Sequence, residues 1–409
     1  MGAPAARVAE LSRHWAEAGH DVTVLTGFPN HPTGVVAPEY RGKLRHLVIH
    51  ENVDHVNLVR TWLLPLPNRK VYQRILNYSS FCVSSAVTGT SLPKADVVIA
   101  TSPQLLVGLS GWWISRHQNV PFIFEVRDLW PESLAAVGVG RRNPVLQRSL
   151  TKLAGFLYRN SSHIVVVTPA FKDHLVQHWR VPAGKISIIE NGVETDMFCP
   201  QAQDEGLRRE LGLEGKFVVC YTGTMGMAHG LETLVEAAAR LEDQLPKVLF
   251  LLIGEGAEKE RITLLTRVRC LHNVRFIGQQ PREKIPAYIN ASDACLVLLK
   301  KAELFKTVIP TKMLEFMACA RPVIVGVDGQ ARGIIEEAKA GIYIEPENVN
   351  QLVDAVSRLF ADSSLRVSLG QGGRQHILQH YSRAQTATTY VRLLEKLLQK
   401  DVPVRAVAA

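Results

Sequence analysis

The sequence predicts an α/β protein built from two Rossmann-like halves. Three observations lead there. The chain has 409 residues, 46% of them hydrophobic, which is too long for one ordinary core and suits two domains of about 200 residues each. Strand and helix signals alternate over most of the length, the pattern of parallel sheets with crossover helices. The pattern then restarts after the turn Asn191-Gly192.

In the first half the β-branched runs Val22–Leu25, Val97–Ala100, Phe122–Glu125, Ile164–Thr168 and Ile186–Ile189 read as strands. Each ends in a polar or Gly/Pro loop. A helix pattern (Val8, Leu11, Trp15) precedes the first of them, where a Rossmann-like half opens with a strand. The first strand is therefore expected to be missing, or the start to be an internal methionine. In the second half the strands read Phe217–Tyr221, Val248–Ile253, Val274–Ile277, Ala294–Leu298, Val323–Val325 and Ile342–Ile344. Helices fit Leu231–Leu241, Lys259–Val268, Ile285–Ile289, Lys312–Ala320, Ala331–Glu337 and Val349–Ala361. The domains expected are 1–196 and 197–380. A final helix within 381–409 carries a stripe of Tyr390, Leu393, Leu394, Leu397 and Leu398 that packs back across the junction.

Charged residues make up 21% of the chain, and no uninterrupted apolar run reaches the roughly 18 residues of a spanning helix. With no signal peptide and six scattered cysteines, a cytoplasmic protein with reduced thiols is expected. The net charge is +9, and residues 1–200 hold 20 basic against 14 acidic residues. This excess suits an anionic partner: a phosphorylated substrate, an anionic membrane surface, or, least of all without a motif for it, nucleic acid. In Trp62–Arg74, apolar residues adjoin Arg69, Lys70, Tyr72 and Arg74. The segment reads either as an amphipathic helix under a loop or as a peripheral docking site on the inner leaflet.

Chemistry concentrates in the second half. Pro310 stands where a helix starts, and helix N-termini attract phosphate. Lys312 adds a point charge there, and Glu315, one turn on, can accept from two ribose hydroxyls. The alternative is a solvated Lys312 and a Glu315 that only favours the helix dipole. Loops with Gly223 and Thr224, and with Gly254, Glu255 and Gly256, follow two strands, where tight turns are the competing reading. A dinucleotide fingerprint fails, because Lys259 stands where its third glycine belongs. In the first half, Arg127, Asp128, Trp130 and Glu132 follow a buried strand. They form either a structural salt bridge or a contact with a transferred group and its acceptor. His46, His50 and His55 lack a ligand pattern, and no Asp-x-Asp pair is present, so no metal is expected.

Several segments resemble family 4 glycosyltransferases of the GT-B fold, in which two Rossmann-like domains face each other across a cleft. The hinge Asn191-Gly192-Val193-Glu194-Thr195-Asp196-Met197-Phe198, then Gly254-Glu255-Gly256, Val274-x-Phe276-x-Gly278 and Pro310-Thr311-Lys312-x-x-Glu315 fall in the family's order. Gly2-Ala3-Pro4-Ala5-Ala6-Arg7 and Glu125–Pro131 resemble its bacterial WbuB-like branch, which acts in surface-polysaccharide assembly, including O-antigen and capsule. The resemblance implies a retaining, metal-independent transfer from a nucleotide-sugar, UDP-linked in most members, to a lipid-linked or glycan acceptor, with no cofactor. It implies that Glu315 holds the donor ribose, that Lys306, Ile309, Pro310, Thr311 and Lys312 face the diphosphate and sugar, and that Phe276 and Gly278 face the base. Gly223, Thr224, Gly254 and Glu255 complete the donor side, and Gly2, Ala3, Arg127, Asp128 and Trp130 the acceptor side.

The chain also departs from the family. Thr307 stands at the first place of the E-x7-E motif, Thr224 and His229 replace a basic pair, and Arg127 replaces a histidine. Arg127, Lys306 and Lys312 are the expected source of the lost charge; Arg127, Asp128, Lys312 and Glu315 are the catalytic candidates. The departures keep two alternatives open: a nucleotide-sugar epimerase of the same fold, and a non-catalytic glycosyltransferase-like subunit.

Overall fold

The continuous apolar runs of the sequence become the central strands, because a parallel strand covered on both faces must be apolar on both. A computed structural model describes residues 3–30, 34–43, 45–67, 71–133 and 144–400. It divides into two units, Gly2–Glu190 with Thr386–Ala409, and Asn191–Gln385.

The first unit opens with the helix Ala3–Glu17, and no strand precedes it among the described residues. Its strands form two separately hydrogen-bonded sheets. One holds β1 (Thr23–Gly27), β2 (Val48–Val53) and β3 (Val56–Thr61) in the order β1-β3-β2. The other holds β4 (Val98–Thr101), β5 (Phe122–Val126), β6 (His163–Val166) and β7 (Ile186–Ile188), all parallel and in sequence order. The antiparallel hairpin β2–β3 has no counterpart in the strand pattern read from the sequence. Its turn is Asp54-His55, with φ of 51° and 64° at the two residues. Both positive values are what a tight hairpin demands, but the pair lacks the glycine that signals one.

The last helix, Arg383–Lys400, lays its apolar stripe on this unit. Tyr390 and Ala387 bury against Leu11, Ile123, Val165 and Ile189, with Leu393, Leu394 and Leu397 partly buried beside them. Trp15 donates from Nε1 to the Ala387 carbonyl at 3.1 Å and meets the Tyr390 ring edge-on at 5.2 Å.

In the second unit, six parallel strands run in the order β10-β9-β8-β11-β12-β13. They are β8 (Phe217–Thr222), β9 (Val248–Ile253), β10 (Val274–Ile277), β11 (Ala294–Leu298), β12 (Val323–Gly326) and β13 (Gly341–Tyr343). Alternate residues feed two cores: Val218, Cys220, Leu249 and Leu251 one, Val219, Tyr221, Phe250 and Leu252 the other. The chain builds outward from β8 to β10, then returns to the other side of β8 with β11. This is the topological switch point at which such sheets bind ligands, beyond the carboxyl ends of the strands. The helix Ser363–His380 is missing from the sequence reading because its pattern is broken by Gly370, Gly372 and Gly373. A Cβ on Gly370 would lie 2.1 Å from the Ala320 carbonyl oxygen, so the glycine is there to let two backbones touch.

One ion pair ties the first unit together beneath the loop after β5. Arg7 and Glu125 are 1% and 3% exposed. Arg7 donates to Glu125 Oε1 from Nε at 3.1 Å and Nη2 at 2.9 Å, and to the carbonyls of Ile189 and Glu190. Thr101 donates to the other Glu125 oxygen at 2.8 Å. Burial by itself would raise the Glu125 carboxyl, but Arg7, then Arg127, and these hydrogen bonds hold it below its ordinary value. The pair's contribution is therefore present above the ordinary carboxylate range and lost as pH falls through the lower folded value. Arg7→Met, which strands a buried carboxylate, is expected to cost about 3–5 kcal/mol in urea unfolding, and Arg7→Met/Glu125→Leu distinctly less. Equal losses in the two variants would show that the charges are not coupled.

Candidate functional site: the switch point of the second unit

The loop after β8 and the segment after β11 flank the switch point. Gly223 opens the first of these at φ +113°. Its amide donates to the Ile253 carbonyl at 2.9 Å, and Met225 donates to the Glu255 carbonyl at 2.9 Å. A Cβ on Gly254, at φ +142°, would sit 2.1 Å from the Gly223 oxygen. The close approach these glycines permit is thus between the two loops themselves. Glu255 pairs with Lys259 at 2.5 Å and lies beside Gly278, where a Cβ would meet its Oε1 at 3.5 Å. Phe276 is half-buried in the sheet core.

Beyond β11 the chain makes a short turn, Glu303–Thr307, and enters the helix Thr311–Ala318. Pro310 is the residue just outside the helix and offers no side-chain cap, though its carbonyl accepts from the Met313 amide at 2.9 Å; the helix N-terminus carries the positive end of the dipole. Ile309 is buried behind it. Thr311 is half-buried in the first turn. Lys312 is half-buried as a residue, yet its Nζ is fully covered and has no hydrogen-bond partner. The ammonium sits 3.8 Å from the Tyr221 ring centroid and 3.4 Å from where a Gly223 Cβ would be. Burial pushes Lys312 down to about 7, against the pull of Glu315 and Cys220. His229 lies edge-on to Tyr221 at 6.1 Å and shares Nδ1 with the Gly226 amide at 3.3 Å. Burial, then the neighbouring Lys312, push it down to about 3, so it is neutral at ordinary pH. Thr224 is exposed; its carbonyl accepts from the Tyr221 hydroxyl at 2.7 Å.

Glu315 is 7% exposed and accepts from Arg282 Nη1 at 2.8 Å. The Arg282 guanidinium in turn lies 5.0 Å over the Phe198 ring. The sequence reading missed Arg282, whose only signal is a basic residue four positions beyond Gly278. Lys306 is 41% exposed on its side chain and pairs with Glu303 at 2.8 Å and, more loosely, Asp328 at 3.9 Å. It is spent on surface carboxylates, unlike Lys312. The Thr307 hydroxyl donates to the Leu304 carbonyl at 2.6 Å within its own turn.

Arg127, Asp128 and Trp130 share one loop of the first unit, after β5. The Arg127 amide donates to Ser102 Oγ at 2.8 Å, and its guanidinium acts electrostatically on Glu125. Asp128 accepts from Trp130 Nε1 at 3.0 Å and from Ser133 Oγ, so both of its oxygens hold the loop. Burial pushes its carboxyl up in spite of these bonds. Glu132 accepts from His174 Nε2 at 3.2 Å and Trp179 Nε1 at 3.0 Å. Gly2 lies outside the described residues, as does the side chain of Ala3.

Comparison with known proteins agrees with this architecture. Residues 2–192 match the Glycosyl transferase 4-like domain and residues 203–376 match Glycosyl transferases group 1. The chain is 24% identical over 361 residues to the putative colanic acid biosynthesis glycosyl transferase WcaI of Escherichia coli (strain K12), covering 85% of this chain and 86% of that protein. It is 24% identical over 331 residues to the probable glycosyltransferase WbjE of Pseudomonas aeruginosa, covering 79% and 80%. Among solved structures, sucrose-phosphate synthase of Thermosynechococcus elongatus superposes with a TM-score of 0.77 at 22% identity, over 98% of this chain and 94% of that one. Anabaena HepE in complex with UDP superposes with a TM-score of 0.67 at 15% identity, over 92% and 100%. With a Glycosyl transferase 4-like domain followed by a Glycosyl transferases group 1 domain, on the GT-B fold, the chain is a glycosyltransferase.

Proposed function

We propose that this glycosyltransferase moves a sugar, with retention and without a metal, from a UDP-sugar to a lipid-linked or glycan acceptor in surface-polysaccharide synthesis. The observation that carries the reading is the covered Lys312 ammonium beside Gly223, at the start of a helix whose Glu315 lies one turn on. A nucleoside diphosphate needs just these things: amide donors, a cation, and a carboxylate for the ribose. The HepE structure with UDP and the colanic acid name of WcaI support the donor and the product class.

The leaving group is a nucleoside diphosphate, so the chemical task is to stabilise its growing negative charge. The helix amides and Lys312 do that. The E-x7-E motif has Thr307 in place of its first carboxylate, and the Thr307 hydroxyl turns back to its own chain. The acceptor hydroxyl therefore attacks on the face the phosphate leaves, with the departing phosphate taking its proton. Arg282 fixes the Glu315 carboxylate that holds the ribose. On the acceptor side, Asp128 shapes the loop that presents Arg127 and Trp130, and Gly2 and Ala3 serve the same acceptor. UDP release that depends on added membrane lipid supports the transferase. An isomerised donor formed without acceptor would mean an epimerase, and binding without turnover a non-catalytic subunit.

The protein works as a peripheral enzyme on an anionic membrane. No described helix is long and apolar enough to cross one. Of the basic residues expected to dock it, Arg69 and Lys70 lie outside the described residues. The helix that follows, Val71–Thr90, exposes Tyr72, Leu76, Val83 and Val87. Their helical spacing puts them on one face, and Val83 and Val87 are 65% and 64% exposed. Interfacial aromatic and apolar anchors joined to basic residues suit such a surface.

Glu315→Ala is expected to weaken UDP binding by about 1.5–3 kcal/mol in calorimetry, the scale of a charged hydrogen bond; unchanged affinity removes Glu315 from the site. Turnover should survive excess EDTA, and a loss restored by Mg²⁺ or Mn²⁺ would end the metal-independent mechanism. Leu76→Ser/Val83→Ser/Val87→Ser should reduce sedimentation with anionic liposomes and leave UDP affinity intact. Wild-type protein that stays in the supernatant at low salt would remove the membrane role.

A further inference from the structure

The environment of Lys312 is unusual for a cation. Its Nζ is fully covered and makes no hydrogen bond. The Tyr221 ring face at 3.8 Å is its neighbour, and a ring face replaces only part of the water an ammonium loses on burial. Among the described residues, the carboxylate that acts on it is Glu315 of its own helix, and its pull falls short of the cost of burial. From β8 come Tyr221 and Cys220, whose hydroxyl and thiol burial pushes well above their ordinary values, the thiol to about 12. From the turn after β8 comes His229, which is neutral. On its own helix, Glu315 is one turn away and engaged with Arg282. A folded protein keeps an uncompensated cation of this kind where a ligand brings the counter-charge.

Its position says which ligand. Lys312 reaches from the helix Thr311–Ala318 to the bare backbone of Gly223. The loop after β8 carries Thr224 and His229 and so offers no charge of its own. We propose that Lys312 supplies from the neighbouring helix the diphosphate charge this loop lacks, and that donor binding draws a proton onto its amine. This rests on the nucleotide-sugar reading above. In the free protein near neutral pH a large share of the amine is unprotonated. A diphosphate beside it favours the ammonium, so the bound state holds more protons than the free state. Affinity for the donor then falls as pH rises above 7, by up to about tenfold per pH unit.

Calorimetry of UDP binding at pH 8, in buffers of different ionisation enthalpy, tests this directly. UDP is fully ionised there, since its terminal phosphate titrates near 6, so proton uptake reports the protein. Uptake of most of a proton at pH 8, shrinking towards pH 6, is expected. Lys312→Arg, which is always charged, should bind UDP without proton uptake. Lys312→Met should lose about 10- to 100-fold in affinity, the worth of a charged hydrogen bond. Its free form should melt no lower than the wild type, because the variant removes an uncompensated buried cation. UDP binding with no buffer-dependent heat at pH 8 would overturn the proposal and leave the donor reading standing; an unchanged Kd in Lys312→Met would overturn it and remove Lys312 from the donor site as well. Failure of the wild type to bind UDP at all would overturn the donor reading itself.

Discussion

The candidate site of the second unit depends on one constraint: the Lys312 amine is held away from water at the point where the sheet changes direction. Between β8 and β11 the strand order reverses, and the segments leaving the two strands diverge. Lys312 comes from one side of that divergence and the Gly223 loop from the other. The ammonium is covered by protein, so its field is not screened as a surface lysine's is. The same burial makes a free ammonium there costly.

The glycines around this point act through the backbone. Gly223 and Gly254 bring two loops into direct contact, with the Gly223 amide on the Ile253 carbonyl and the Gly254 amide on the Ile277 carbonyl. A side chain on Gly254 would push the Gly223 carbonyl away and move the surface Lys312 faces. Arg282 plays a comparable part for Glu315: it engages one carboxylate oxygen and is itself held over Phe198.

In the first unit the corresponding scaffold is the Arg7–Glu125 pair. It joins the first helix, β5 and the carbonyls that follow β7, and Thr101 of β4 completes the carboxylate's bonding. Tyr390, from the last helix, is buried near the same charges, which act on its hydroxyl. The loop carrying Arg127, Asp128 and Trp130 leaves β5 just past Glu125, so this buried pair sets where the loop begins. Asp128 then folds the loop on itself through Trp130 and Ser133. Its carboxylate is a fastener, a role that its place beside Arg127 and Trp130 in the sequence did not reveal.

The sequence by itself determined the strands and their kind. Runs such as Val248–Ile253 and Phe217–Tyr221 can be satisfied only between two covered faces, and short-range periodicity records this. The Asn-Gly turn, the Gly-Glu-Gly loop and the Pro-Thr-Lys-x-x-Glu segment are also visible in the sequence, because each is a local pattern of residues. The β2–β3 hairpin and the helix Ser363–His380 escaped it, since Asp54-His55 and the three glycines answer to contacts made elsewhere in the chain. Only the tertiary structure decided what each charged group touches. Lys306 and Lys312 are six residues apart and read alike, yet one pairs with Glu303 and Asp328 at the surface and the other is buried without a hydrogen bond. Arg7 and Glu125 are 118 residues apart, and Arg282 and Glu315 33. The energy of a charge depends on its solvent exposure and on neighbours brought in by folding, and neither is written in the residues beside it.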